Sequence, residues 1–332
     1  MNTTKVRSRG GMVWFAGLFG LVLAAQAITT NDVGYLRLTF YNNGEGDGSG
    51  KTGQQDWSEV QVNDMVASAQ AWANILGNTA GRMVDVHCFW TNFSGSILGG
   101  ASSPYVGNYV NAQTYTEYVW RNGVNYTRPG GSYADCTITY DMDAAGFAWN
   151  FGSDAPTGSE IDFRSVVTHE IGHAVGFTST YISSTDKWWL GGITAWDSWL
   201  RDDAGNAPLA NSTGTPGNFT QVDDPIWFTG PNAFAANGGA NVPVYAPTTY
   251  AAGSSLTHLN ESSYPSTLMT PGVGLGEMVR TISAVEEGVL LDLGWNVIPE
   301  PATLSLCVLL LGGGLAARRI RRAVRAPPPP RA

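Results

Sequence analysis

Residues 168–179 read THEIGHAVGFTS, and how this stretch is taken decides both the fold and the chemistry of the chain. On a helix, residues four apart lie one above the other on the same face. His169 and His173 then address one point in space, with Glu170 turned toward the edge of that face. Two imidazoles so placed suit a zinc ion with room for a third protein ligand and a water, and the neighbouring carboxylate is placed to take that water's proton. The bland alternative is an amphipathic helix whose histidines are merely packed or solvated. With only 4 histidines in 332 residues, two in this register weigh against it. The third ligand is not supplied locally, because the next position of an HExxHxxGxxH pattern is Ser179.

The motif helix is expected from about Asp162 to Gly176. Phe163, Val167, Ile171 and Ala174 fall on a different side from the two histidines, so one face is buried and the other offered to a metal. Gly176 then permits a sharp turn beneath the site. Upstream, YLRLTFY (35–41) alternates as a strand does, and further strands are expected around 82–90 and 136–141, separated by a loop region rich in Gly, Ser and Tyr. DWSEVQVNDMVASAQAWANILG (56–77) places Val62, Met65, Val66, Ala69, Trp72, Ala73 and Leu76 at helical spacing, with Asp56 and Glu59 as a capping box and Gly77-Asn78 as the stop. Downstream, 178–257 is a loop-rich insertion with one short helix at ITAWDSWLRD (193–202), and a last helix starts at Ser283 with Glu286 three residues on. The sum is an α+β domain, residues 28–298, with a cleft between two lobes.

Both ends read as export signals. Lys5, Arg7 and Arg9, an apolar stretch from Met12 to Ala25 and Ala25-Gln26-Ala27 have the order of a signal peptide, residues 1–27. At the other end Pro299-Glu300-Pro301, an apolar run from Ala302 to Ala317 and an arginine cluster form a temporary membrane stop over 299–332. Three bases precede residue 28 and six follow residue 317, so nine of 18 bases would face 27 acids, or −18. Such a surface is unsuited to nucleic acid. Alternation turns Cys88 and Cys136 inward from strands, leaving a disulfide or two buried thiols open. The acidic glycine loops NNGEGDG (42–48) and RDDAGN (201–206) are candidate calcium (Ca2+) holders or plain solvated turns.

No Glu occurs between Glu170 and Glu261, which closes the route to a glutamate ligand two turns on; Asp186, Asp197 and Asp202 stay open as substitutes. His87 precedes the motif on a strand and reads as a surface or core residue. His258 lies 85 residues after His173, within SLTHLNESSYPSTLMTP (255–271). With His169, Glu170, His173, Gly176 and Phe177, then His258, then Leu268-Met269-Thr270-Pro271, the chain resembles the metzincin metalloproteases over roughly 160–296, in their leishmanolysin-like branch. The resemblance implies a two-lobed zinc (Zn2+) endopeptidase in which His258 is the third ligand, Met269 the floor beneath the metal and Glu170 the general base. It also implies a protein or peptide substrate paired to an edge strand, expected here in the rim YDMDAAGFAWNFGSD (140–154). Ser179 and the absence of a Tyr after Met269 depart from the pattern and leave the oxyanion partner unassigned. A short inhibitory segment near residue 28 is compatible with the sequence. The tail resembles the PEP-CTERM sorting signal, which implies secretion machinery, transient membrane contact and removal of the anchor by an exosortase-like enzyme, with the product at the cell surface or outside. The rival reading is a non-catalytic extracellular matrix or polysaccharide-associated surface protein with a structural zinc or none, against which the intact Glu170 argues.

Overall fold

The computed structural model describes residues 29–298 except 78–81, 109–110, 125–133, 183–186, 189–191 and 208–224; the expected leader and tail lie outside the described residues. Among those described, no helix is long and apolar enough to cross a membrane.

Strand β1 (Thr29–Val33) turns through Gly34, at φ 57°, into β2 (Leu36–Tyr41). The alternation read in the sequence is realised: Leu36, Leu38 and Phe40 all point into the core. Helix α1 (Glu59–Ile75) leads to β3 (Val84–Thr91), parallel to β2. The segment expected as loop then holds a short strand β4 (Gly99–Ser102), a hairpin of β5 (Tyr105–Asn108) and β6 (Asn111–Thr114), and helix α2 (Tyr115–Asn122). Strand β7 (Cys136–Asp141) runs parallel to β3 and takes β4 antiparallel on its other side. The sheet order is β1-β2-β3-β7-β4, so β1 and β4 are the two edges. Strand β4 escaped the sequence reading because Gly99-Gly100-Ala101-Ser102 has no apolar alternation; its pairing to β7, not its side chains, makes it a strand. Helix α2 did carry a signal, Thr114 with Glu117 at its start and left-handed Gly123 at its end.

The start of α1 is also corrected. The cap is Ser58, whose amide donates to Gln61 Oε1 at 2.8 Å, while Asp56 instead accepts from the Asn43 amide. The helix packs against both the sheet and the motif helix, so its buried stripe is broader than the apolar one and includes Asp64 and Ser68 along with Met65, Ala69, Trp72 and Ile75. Those polar groups are answered across the contact: Arg164 pairs with Asp64, Ser68 Oγ donates to the Arg164 carbonyl at 3.3 Å, and Trp72 Nε1 donates to the Thr168 carbonyl at 2.8 Å. Each large apolar side chain buried this way contributes about 1.5–3 kcal/mol.

Strands β8 (Ala148–Asn150) and β9 (Glu160–Asp162) form a small parallel pair that delivers the chain to α3 (Phe163–Ala174), the motif helix. The insertion follows: hairpin β10 (Tyr181–Ile182) and β11 (Lys187–Trp188), helix α4 (Ala195–Trp199), then β12 (Leu200–Arg201), β13 (Ile226–Phe228), helix α5 (Pro231–Ala236) and β14 (Val242–Val244). Strands β12-β13-β14 make a second small sheet whose Leu200, Phe228 and Val244 join the main core, so this stretch is packed rather than appended. Helix α6 (Ala284–Asp292) starts at Ser283 with Glu286 in the capping box, as its sequence predicts. Helices and strands are segregated around one core, an α+β arrangement. Cys88 and Cys136 are buried free thiols on neighbouring strands.

Candidate metal and catalytic site

Helix α3 is held at its start by Asp162, fully buried, whose Oδ2 accepts from the Ser165 amide at 2.9 Å and the Ser165 hydroxyl at 2.6 Å. Arg280 clamps the same carboxylate. Phe163, Val167, Ile171 and Ala174 bury one side of the helix, which leaves His169 and His173 one turn apart on another. The helix ends at Val175, and Gly176 at φ 124° turns the chain back so that the Phe177 carbonyl faces His173.

His258 reaches the same place from the far end of the insertion. Beyond β14 the chain doubles back: Tyr245 N donates to the His258 carbonyl at 2.9 Å and Asn260 N to the Pro243 carbonyl at 3.0 Å, which fixes His258 between two ladder contacts. The three Nε2 atoms then stand 3.0 Å (His169 to His173), 3.1 Å (His173 to His258) and 3.1 Å (His258 to His169) apart.

Their protonation follows from the other ring nitrogens. His169 Nδ1 lies 2.7 Å from the Leu268 carbonyl, His173 Nδ1 2.6 Å from that of Phe177, and His258 Nδ1 2.8 Å from that of Ser254. A carbonyl only accepts, so each Nδ1 carries the proton and donates it, and each Nε2 presents a lone pair. Burial lowers the pKa of all three rings, that of His173 to about 3 and that of His258 well below its ordinary value, with the neighbouring rings adding to the effect at His173 and His258. Three converging lone pairs with no proton between them repel one another unless a cation sits among them. The cluster is a site able to bind a metal ion. Second partners on Nδ1, here three backbone carbonyls, are the usual means of orienting metal-binding histidines.

Glu170 faces edge strand β4. A Cβ on Gly99 would stand 3.0 Å from Glu170 Oε1 and 3.2 Å from Val166, tight contacts that would require these side chains to give way. Burial pushes the Glu170 carboxyl up to about 8, against a smaller pull from the Ala101 amide. Its Oε2 is buried without a hydrogen-bond partner, an arrangement that costs stability and marks a group kept for another use. Met269 is fully buried against Gly172, the residue just before His173. Its turn is pinned from three directions: Glu286 Oε1 accepts its amide at 2.6 Å, its carbonyl accepts the Leu259 amide at 2.8 Å, and the preceding carbonyl of Leu268 holds His169.

The site forms the floor of a cleft of about 820 Å3 walled by β4, the Tyr105 and Thr178 region, the loop carrying His258 and the segment after Met269. Within this cleft fall Glu170, His169, His173 and His258, as the sequence predicts. No family model matches the chain, and no curated protein matches it. Two of the three aspartates open as substitute ligands, and His87, are engaged elsewhere. Asp197 is the third residue of α4 and accepts the Thr194 amide at 3.0 Å; Asp202 accepts the Asn206 amide at 2.7 Å; Asp186 lies outside the described residues. His87 sits between Asp47 Oδ2 and the Tyr41 hydroxyl, each at 3.3 Å, remote from the cluster.

One expectation is overturned, and two find no support among the described residues. The rim is not residues 140–154, because β7 lies inside the sheet and β4, hydrogen-bonded to its outer side, is the strand that borders the cleft. The acidic loops do not gather ligands: Glu45 and Asp47 are spent on the Asn42 amide, Ser49 and His87, and among the described residues the three histidines are the one group of three or more His, Cys, Asp or Glu with converging ligand atoms. Residues 29–33 do not reach the cleft, since they form β1 at the opposite edge.

Proposed function

We propose that the protein is a zinc-dependent endopeptidase of metzincin type, exported and acting on extracellular proteins. The observation that carries this reading is the buried Glu170 carboxylate, whose Oε2 has no hydrogen-bond partner, beside three converging imidazole lone pairs on the floor of an open cleft. A structural metal site needs no base beside it and no access from solvent, so the rival of a non-catalytic surface protein leaves Glu170 unexplained. The donor set of three neutral imidazoles fits zinc, whose bonds to nitrogen are about 2.0–2.1 Å, and leaves a coordination position open. The long interval before His258 and the Met269 turn under α3 support the leishmanolysin-like variant of that architecture.

Bound zinc supplies Lewis acidity, bringing the pKa of water toward about 7 and polarising a scissile carbonyl. The chain does the rest. Glu170 takes the proton released as water attacks and hands it to the leaving amine. A carboxyl raised by burial releases and regains a proton near neutral pH, and a cation beside it brings the value down. The free edge of β4 offers main-chain donors and acceptors to an extended substrate, which positions the scissile bond without a pocket for a chain terminus. The leader and the PEP-CTERM-like tail place this activity at the cell surface or beyond it, after an exosortase-like cut.

The test is digestion of an unfolded generic protein by the zinc-loaded chain, by the chelated chain and by Glu170→Ala. Cleavage that disappears in the last two and returns with zinc supports the proposal. Folded, zinc-loaded protein that leaves every peptide intact overturns it.

A further inference from the structure

The turn that leaves α3 has a partner on every carbonyl from Ala174 to Thr178, and three of the five come from other elements. The Ala174 carbonyl accepts from Thr114 Oγ1 at 2.9 Å, that of Val175 from Trp295 Nε1 at 2.9 Å and that of Thr178 from Thr194 Oγ1 at 2.8 Å. Between them the Gly176 carbonyl accepts the Thr178 amide at 2.8 Å, and the Phe177 carbonyl is the one that holds His173 Nδ1, at 2.6 Å. The last carbonyls of a helix have no partner within the helix, so whatever answers them decides where the following turn lies.

The two threonines are alike. Each is the N-cap of a helix, Thr114 of α2 and Thr194 of α4, and each is buried. Each hydroxyl oxygen accepts the amide three residues on, from Glu117 at 3.1 Å and from Asp197 at 3.0 Å. A hydroxyl has a single hydrogen to give. In both residues its nearest acceptor is the exit turn; the other acceptor open to Thr114, Glu117 Oε2, is farther away at 3.1 Å. The carbonyls so gripped are four residues apart and bracket Gly176 and Phe177. The caps are also tied to each other, because the Ala112 amide donates to the Ile193 carbonyl at 2.8 Å.

We propose, on the metal-site reading, that Thr114 and Thr194 are positioning residues for His173. Together they fix the backbone of residues 174–178, and with it the Phe177 carbonyl that sets the tautomer and direction of this ring. The turn has little stiffness of its own, since Gly176, at φ 124°, carries no side chain to restrain it. Neither threonine supplies a ligand nitrogen. They act one step further out, through a carbonyl of the kind whose loss costs about 10–100-fold in metal affinity.

The test compares full-length wild type with Thr114→Val, Thr194→Val and the two serine variants. Valine keeps the shape of threonine and lacks the hydroxyl; serine keeps the hydroxyl. Zinc affinity is read by competition with a chelating dye. In the metal-free protein, NMR of 15N-labelled histidine reads how fast each Nδ1 proton exchanges with water, a tractable assignment with only 4 histidines in the chain. Each valine variant should bind zinc about tenfold more weakly. It should also release the His173 proton faster while those of His169 and His258 keep their wild-type rates, and serine should restore both. Wild-type zinc affinity in a folded valine variant overturns the inference. So does acceleration of all three protons alike, which is what loss of a helix cap alone would give. Should one valine variant fail to fold, the other decides, since either frees one end of the turn. A wild type that takes up no zinc, but whose His173 proton still answers to the threonines, overturns the metal reading and leaves the positioning of the ring standing.

Discussion

The thioether of Met269 occupies the space in which a side chain on Gly172 would begin: a Cβ there would stand 2.9 Å from Met269 Cε and would overlap its sulfur. Glycine is thus demanded inside the HEIGH turn by packing, not by backbone angle, since α3 is continuous through it. Gly172→Ala gains up to about 1 kcal/mol of helix propensity and meets overpacking of about 1–3 kcal/mol. A net loss of stability is expected, together with weaker zinc binding as α3 is pushed off the Met269 turn. Thermal unfolding with and without zinc measures both. A variant with unchanged melting temperature and zinc affinity would contradict the contact.

Removing a ligand and removing the base should have separable effects. His258→Ala breaks the nitrogen triangle and is expected to abolish stoichiometric zinc retention after dialysis, read by elemental analysis. Glu170→Gln should keep the metal, because Glu170 contributes no nitrogen to the triangle, and lose cleavage activity. Full zinc occupancy in His258→Ala refutes the assignment of the third ligand.

Stability of the metal-free protein should peak near pH 6.5, the ordinary imidazole value. Below it the unfolded chain binds protons that the buried rings refuse, so stability falls with pH by up to about 1.4 kcal/mol per pH unit for each ring still neutral in the fold. Glu170 works in the opposite sense. Its folded pKa is raised from 4.5 to about 8, so its contribution is present below 4.5 and is lost as pH rises through 8. Between 4.5 and 6.5 at least His173 and His258 oppose it and win; at higher pH it acts in the same sense as the other buried acids whose pKa values burial raises, Glu117, Asp197, Glu286 and the two thiols. Urea unfolding of the chelated protein across this range should show the peak, and Glu170→Gln should make the decline between pH 6.5 and 8 shallower. A decline of unchanged steepness in the variant would assign it elsewhere.

Cys88 and Cys136 should both alkylate once the unreduced protein is unfolded, and neither while it is folded, since both are buried and burial raises their pKa values. Recovery of a cross-linked peptide pair without reductant would show a bridge instead.

What the sequence disclosed and what it withheld have a common physical origin. Local periodicity places side chains four apart on α3, so His169, Glu170 and His173 were legible, and capping chemistry marked Ser283 and Glu286. His258 was reached by resemblance, because its position depends on the ladder contacts of Tyr245 and Asn260, which no local spacing encodes. Edge strand β4 was missed because glycine, alanine and serine leave no hydrophobic trace, although Gly99 packs closely against Glu170. The cap of α1 was misplaced by two residues, since Asp56 and Ser58 are both competent acceptors and only the tertiary demand of Asn43 on Asp56 separates them.

The opposite placement of β1 and β4 in the sheet has a consequence for how the molecule is presented to its surroundings. Residue 29 enters at the edge away from the cleft, and Val297 and Ile298 leave beside Leu76 and Ile75 at the end of α1, so neither lines the opening. Anything attached at either point, whether a membrane segment, a wall polymer or a purification handle, joins the molecule away from the residues that line the cleft. Immobilisation through the C-terminal side should therefore leave the mouth facing outward, accessible to a substrate as large as a folded protein with one protruding extended loop.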